Sequence, residues 1–244
     1  MALKTVNPYK VVKSIIYTYP NGDMKYIKFK TPLTIRDSGW EAVEEEISKR
    51  KESETDTSED NISRSLRRAK NKISHYCHSN DFDMFLTLTI DSKQFKDRND
   101  ITKSMNELSR WLHLQRIKYG KFDYIFVPEL HKNGGVHFHG VLKNYKGPLT
   151  KTKTRKGRSV YHVDEWKIGF TDLEKIQDIG KVSNYIRKYI VKDMGYIFGK
   201  KKYLVSKGLQ VPEVTYNVGD LDTTEMEGLY ENTFCESGYI KNNK

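Results

Sequence analysis

The chain of 244 residues holds 43 Lys and Arg against 32 Asp and Glu, a formal net charge of +11, with 36% hydrophobic and 12% aromatic residues. That is enough packing material to exclude a chain disordered throughout, and no apolar run approaches the roughly 18 residues that span a bilayer. The opening MALKTVNPYK lacks the apolar centre of a secretion signal, so a cytoplasmic protein with no membrane partner is expected, and Cys77 and Cys235 alone exclude a disulfide framework or a cysteine zinc site.

Residues 9–36 alternate apolar and polar around Pro20-Asn21-Gly22-Asp23, the pattern of a β-hairpin. Residues 41–60 are charged and Ser/Thr-rich, which reads as a short exposed helix with a linker or as a linker throughout. Residues 61–79 place Ile62, Leu66, Ala69, Ile73 and Cys77 at helical spacing, with Arg64, Arg67, Arg68 and Lys72 largely off that stripe. FDMFLTLTI over 82–90 predicts a largely buried strand. Asn99 or Asp100 then caps a helix that runs to Tyr119 and stops at Gly120, with Ile101, Met105, Leu108 and Leu112 inward.

A strand over 122–130 turns through His131-Lys132-Asn133-Gly134-Gly135 into a return strand over 136–143. The stretch 143–158 carries seven Lys or Arg and no acid, which predicts an exposed basic loop or a long hairpin tip. A strand-like run over 160–173, a helix over about 178–193 and a short strand at 203–205 complete the order. Strand, helix, three strands, helix, strand predicts an α+β fold, an antiparallel sheet with helices packed on it.

The charge follows this order unevenly. Residues 1–60 hold 10 basic and 11 acidic side chains, 61–218 hold 31 and 15, and 219–244 hold 2 and 6. The middle, 61–218, is expected to be the domain that meets a polyanion, because clustered cations gain free energy by releasing counterions from a phosphate backbone. An N-terminal hairpin with an acidic linker, 1–60, and an acidic tail, 219–244, flank it. Lys143, Lys146, Lys151, Lys153, Arg155, Lys156 and Arg158 of the basic stretch, with Arg187, are the expected DNA contacts.

Two motifs carry chemistry. In His137-Phe138-His139 the side chains alternate across a strand, so both imidazoles leave one face about 6.5 to 7 Å apart at Cα, close enough to share an ion. Glu129 on the partner strand is the nearby carboxylate. An odd-length turn, such as a three-residue loop with a glycine bulge, sets it opposite His139, whereas a two-residue turn faces it away. One carboxylate and two imidazoles suit Mg²⁺ or Mn²⁺ holding a phosphate, and the set also accepts Zn²⁺ or Fe²⁺.

Residues 185–192, YIRKYIVK, repeat Tyr-x-x-Lys in tandem as Tyr185 with Lys188 and Tyr189 with Lys192. On a helix both phenols share a face, each with an ammonium three residues on to favour the phenolate or to hold a phosphate oxygen. Val182, Ile186, Tyr189 and Ile190 also form an apolar stripe, so Tyr189 has a packing role open to it.

At these residues the sequence resembles the HUH endonuclease superfamily, in particular the two-tyrosine rolling-circle replication initiators (Rep proteins) of small single-stranded DNA phages and plasmids. FLTLT at 85–89 is similar to the first motif of that family, His137-Phe138-His139 to its histidine motif and YIRKYIVK to its tyrosine motif, in that order. The resemblance covers about residues 80–215. It implies a fold of about five antiparallel strands with the tyrosine helix near the metal strand, and a site-specific nick in single-stranded or origin DNA. It further implies Tyr185 or Tyr189 as nucleophile, a 5′-phosphotyrosine link and a free 3′-hydroxyl. Lys188 and Lys192 would assist, Glu129, His137 and His139 would hold Mg²⁺ or Mn²⁺, and 85–89 would serve as structural support. No G-x-x-x-x-G-K-[ST] is present, so a host helicase and DNA polymerase are the expected partners. The competing readings are a transposase or relaxase of the same superfamily, a non-catalytic nucleic-acid binder and a water-using metal hydrolase. His75, His78, His113, His131 and His162 have no part in the mechanism, although His131 sits in the metal hairpin.

Overall fold

The computed structural model describes residues 9–36, 58–131, 134–190, 202–222 and 226–242. In chain order the elements are β1 (Tyr9–Thr18), β2 (Met24–Arg36), α1 (Ser58–Ser79), β3 (Met84–Ile90), α2 (Ile101–Tyr119), β4 (Asp123–Leu130), β5 (Val136–Lys143), β6 (Leu149–Arg155), β7 (Arg158–Val163) and β8 (Gly169–Lys175). They continue with α3 (Ile179–Lys188), β9 (Leu204–Val205), β10 (Glu213–Asn217), β11 (Glu227–Glu231) and β12 (Cys235–Ile240). The predicted linker over 41–60 lies mostly outside the described residues.

The chain divides into two compact units, one contiguous over Ser65–Leu209 and one that joins Met1–Arg64 to Gln210–Lys244. In the joined unit the predicted hairpin forms, and the strands order β10-β1-β2-β12-β11, all antiparallel. Val12, Ile15, Tyr17, Tyr19, Leu33 and Ile35 make its core. The segment set apart as an acidic tail therefore supplies β11 and β12 to the sheet of the N-terminal hairpin. Net charge describes how a segment meets solvent, and it carries no information on which strand it pairs with.

The contiguous unit is an α+β fold on a sheet of order β6-β7-β8-β3-β5-β4-β9, antiparallel throughout. It has seven strands where about five were expected. The basic stretch zips into β6 and β7 over a two-residue Lys156-Gly157 turn, in which both residues have positive φ, 47° and 77°. The run expected as one strand over 160–173 breaks into β7 and β8, because Trp166 turns inward and donates its indole N–H to the Thr89 carbonyl at 3.0 Å.

One face of this sheet builds the core. Leu86, Leu88 and Ile90 of β3 and Val136, Phe138 and Leu142 of β5 pack with Leu108, Trp111 and Leu112 of α2. Asp100 caps α2 by accepting from the Thr102 and Lys103 amides, as its sequence predicts. The opposite face carries the odd-numbered residues of β3, β5 and β4, and α3 lies against it. Asp178 caps α3 and Ile186 is buried.

Burial pushes the thiol of Cys77, on the apolar stripe of α1, up to about 12, against smaller opposing contributions from Ser183 and the Arg187 charge. The folded chain then holds a proton that the unfolded chain releases, so stability is full below pH 9 and declines as pH rises from 9 toward 12. Urea unfolding midpoints should fall across that window in the wild type and fall less in Cys77→Ala. At pH 8 a thiol reagent should modify half-buried Cys235 in the native protein and reach Cys77 only on unfolding.

Candidate active site

Register sets the site. Glu129 lies opposite His137 in the β4–β5 pair, with Val127 opposite His139, so Glu129 and both histidines share one face. The turn has odd length: the pairing runs to Leu130 opposite Val136, and the His131 amide donates to the Gly135 carbonyl at 2.9 Å. Gly134 there takes φ 80°, a conformation that glycine adopts without strain. Glu129 was expected opposite His139 and instead sits diagonal to it. Its carboxylate still spans the diagonal, with Oε2 at 2.7 Å from His139 Nε2.

His139 is almost completely buried, and Thr87 of β3, its register partner, places Oγ1 at 3.2 Å from His139 Nδ1. With Nε2–H donating to the carboxylate, Nδ1 accepts from the Thr87 hydroxyl. The same hydroxyl can accept from Nδ1–H when Nε2 serves as a ligand. Burial outweighs Glu129 and lowers the His139 pKa, so the ring is held neutral. Burial also lowers that of His137, joined by the charges of His131, His139 and Arg98 and opposed by Glu129. The His137 ring stacks on His131 with centroids 5.0 Å apart.

Among the described residues no three His, Cys, Asp or Glu side chains are placed to hold an ion together. The cause is local: Glu129 is engaged with His139, and His137 leans on His131. The donor chemistry nevertheless fits a divalent cation, with one carboxylate and two imidazoles on a single face, two of them already touching through a proton that a cation would displace.

The tyrosine helix meets this cluster. The Tyr189 ring stacks on His139 at 4.0 Å between centroids and 9° between planes, and Tyr185 stands edge-on to both, 5.7 Å from His139 and 5.2 Å from Tyr189. Phe85 of β3 closes the group, 5.6 Å from Tyr185. Tyr185 is 41% exposed, whereas Tyr189 is half-buried. The Tyr189 phenol is pushed up by burial, by its hydrogen bond with Tyr185 and by the nearby charge of Glu129. Lys188 is exposed, and Lys192 lies outside the described residues.

The basic residues are placed less uniformly than their sequence suggests. Lys153 pairs with Asp172, Arg155 with Asp172 and Glu174, Arg158 with Glu174 and Lys143 with Asp81. Lys146, Lys151 and Lys156 are exposed. Arg187 is half-buried, with Nε unpartnered and its charge acting on Cys77. Sequence reasoning missed Thr87, Phe85 and Arg98 as neighbours of the cluster. The signal for the first two was present, since Phe85 and Thr87 share the parity that faces away from the core residues Leu86 and Leu88.

No helix among the described residues is long and apolar enough to cross a membrane. Compared with curated proteins, the chain matches none. Residues 83–194, which run from the start of β3 through the histidine hairpin to the tyrosine helix, match the family model of the replication-associated protein ORF2/gene 2 protein, and that match supports a replication-initiator, Rep-type family and a role in DNA replication.

Proposed function

We propose that the unit Ser65–Leu209 is a DNA-nicking and strand-joining endonuclease of the HUH kind, in its two-tyrosine form, that starts rolling-circle replication. The observation that carries this reading is the packing of both Tyr185 and Tyr189 against His139, the one imidazole that Glu129 and Thr87 hold from its two nitrogens. Two helix residues one turn apart and a strand histidine far from them in sequence meet at one point. A helix that only packs has no need to bring two phenols to a histidine–carboxylate pair.

In the proposed reaction a tyrosine oxygen attacks a backbone phosphorus, a phosphotyrosine ester forms and the bond from phosphorus to the 3′-oxygen breaks. The phenol loses its proton and the 3′-oxygen gains one. The ester keeps the bond energy, so attack by a 3′-hydroxyl rejoins a strand with no nucleotide cofactor. Glu129, His137 and His139 would hold a divalent cation, Mg²⁺ or Mn²⁺, which when bound polarises the scissile phosphate and offsets charge in the transition state. Thr87 keeps the His139 ring oriented, and Lys188, exposed on the tyrosine helix, is the cation for a non-bridging oxygen. Strand separation and synthesis fall to a host helicase and polymerase in the cytoplasm.

The test is a denaturing gel of the full chain with end-labelled single-stranded DNA from its own replicon, in Mn²⁺ or EDTA. A covalent protein–DNA band that forms in Mn²⁺ and is absent in EDTA is the expected result. Binding with neither adduct nor nick would replace this reading with that of a non-catalytic binder.

A further inference from the structure

Phe170 opens β8 and is 69% exposed, although its strand neighbours Thr171 and Leu173 are buried. Register places it in the row of the histidine cluster: Phe170 is opposite Thr89, Thr89 opposite His137 and His137 opposite Glu129. Residues paired across an antiparallel sheet share a face, so the ring stands two strands, roughly 10 Å, from His137 on the side that carries the tyrosines.

The position is built rather than incidental. A Cβ on Gly169 would fall 1.9 Å from the Thr89 carbonyl oxygen, so β8 approaches β3 this closely only because residue 169 has no side chain. Trp166 donates to that same carbonyl at 3.0 Å and pins the entry to the strand. Nearby acids are neutralised, since Asp172 and Glu174 are held by Lys153, Arg155 and Arg158. Arg98 brings a positive charge to the His137 end of the row, where its effect on the imidazole is felt.

We infer that Phe170 and Arg98 form a single-stranded DNA subsite on either side of the reacting phosphate, with a base stacked on the Phe170 ring and a backbone phosphate taken by Arg98. The identity of the ligand rests on the DNA-nicking reading above. A protein partner would need a contiguous apolar patch, and the row around Phe170 is Thr89, His137 and Asp172. One exposed ring among polar groups and cations matches a nucleobase, which needs one aromatic face and discriminates little among sequences.

The experiment measures binding of fluorescein-labelled oligothymidylate by the full chain in EDTA, so that no cleavage is involved, over a range of salt concentrations. Phe170→Ala should weaken binding about 5- to 150-fold, with the slope of log K against log salt unchanged. Phe170→Trp should restore the affinity, and Arg98→Gln should flatten the slope by about 0.7. Binding by Phe170→Ala within twofold of wild type would overturn the subsite, as would a loss that Phe170→Trp fails to recover. Wild type that binds oligothymidylate through Phe170 yet forms no adduct with replicon DNA in Mn²⁺ would leave the subsite standing and remove the nicking reading. Absence of single-stranded DNA binding by wild type would remove both.

Discussion

Tyr185→Phe should lower the rate of covalent adduct formation on single-stranded replicon DNA by at least about a thousand-fold, as expected when a nucleophile is deleted outright. Tyr189→Phe should leave this first adduct within about tenfold of wild type and abolish a second strand transfer from an already linked protein. The assignment follows from position. Both phenols reach His139, but Tyr185 is 41% exposed and edge-on, open to a strand lying on the sheet, whereas Tyr189 is half-buried and stacked flat on the imidazole. A phenol stacked at 4.0 Å must leave that ring before its oxygen meets a phosphate, so Tyr189 suits the second step. Quench-flow sampling on denaturing gels measures both rates. Equal adduct rates in Tyr185→Phe and wild type would reverse the order, and an adduct surviving the double substitution would exclude both residues.

Gly169→Ala should cost about 3 kcal/mol or more of folding stability, and Gly140→Ala a similar amount, at the upper end of what overpacking usually costs. Neither glycine has a positive φ, so the penalty is steric. The Gly169 Cβ would lie 1.9 Å from a backbone oxygen that cannot swing away. At Gly140 it would lie 2.3 Å from the Phe126 ring and 2.5 Å from the Ile125 carbonyl, wedging β4 from β5 beside His139. Gly208→Ala is the contrast, since nothing stands within 4 Å of its Cβ and only its φ of 86° resists the change, for about 1–2 kcal/mol. Urea midpoints of the three variants order these costs, and equal midpoints for Gly169→Ala and Gly208→Ala would refute the close approach of β8 to β3.

Local chemistry made much of the nuclease unit legible before its structure. The alternation around His137 and His139 determined which face they leave, Asp100 and Gly120 bracketed α2, and the Leu66 to Cys77 stripe marked the buried side of α1. Pairing between segments distant in sequence was not legible. Asp172 and Glu174 sit in a strand-like run that gives no hint of Lys153 and Arg155 beside them, so the basic stretch looked freer than it is. The split of that run at Trp166 depends on a carbonyl in β3, which no window around Trp166 contains. The meeting of Tyr189 with His139 likewise required knowing how α3 crosses the sheet. Strand β11 hid for a different reason: all five of its residues are exposed, so it has no buried face to imprint a period of two on the sequence.

The joined unit has a consequence for synthesis. Strands β1 and β2 leave the ribosome first, but β10, β11 and β12, which flank them, come after the whole of Ser65–Leu209. At about 5–20 residues per second, the early hairpin waits on the order of ten seconds with both edges open. An isolated two-stranded hairpin is marginal in water and its open edges invite pairing with another chain. The nuclease unit, contiguous in sequence, has all its strands to hand before that wait ends. Nascent chains halted before β10 should therefore contain a folded nuclease unit and an unfinished sheet, which makes the early hairpin the segment most exposed to a chaperone.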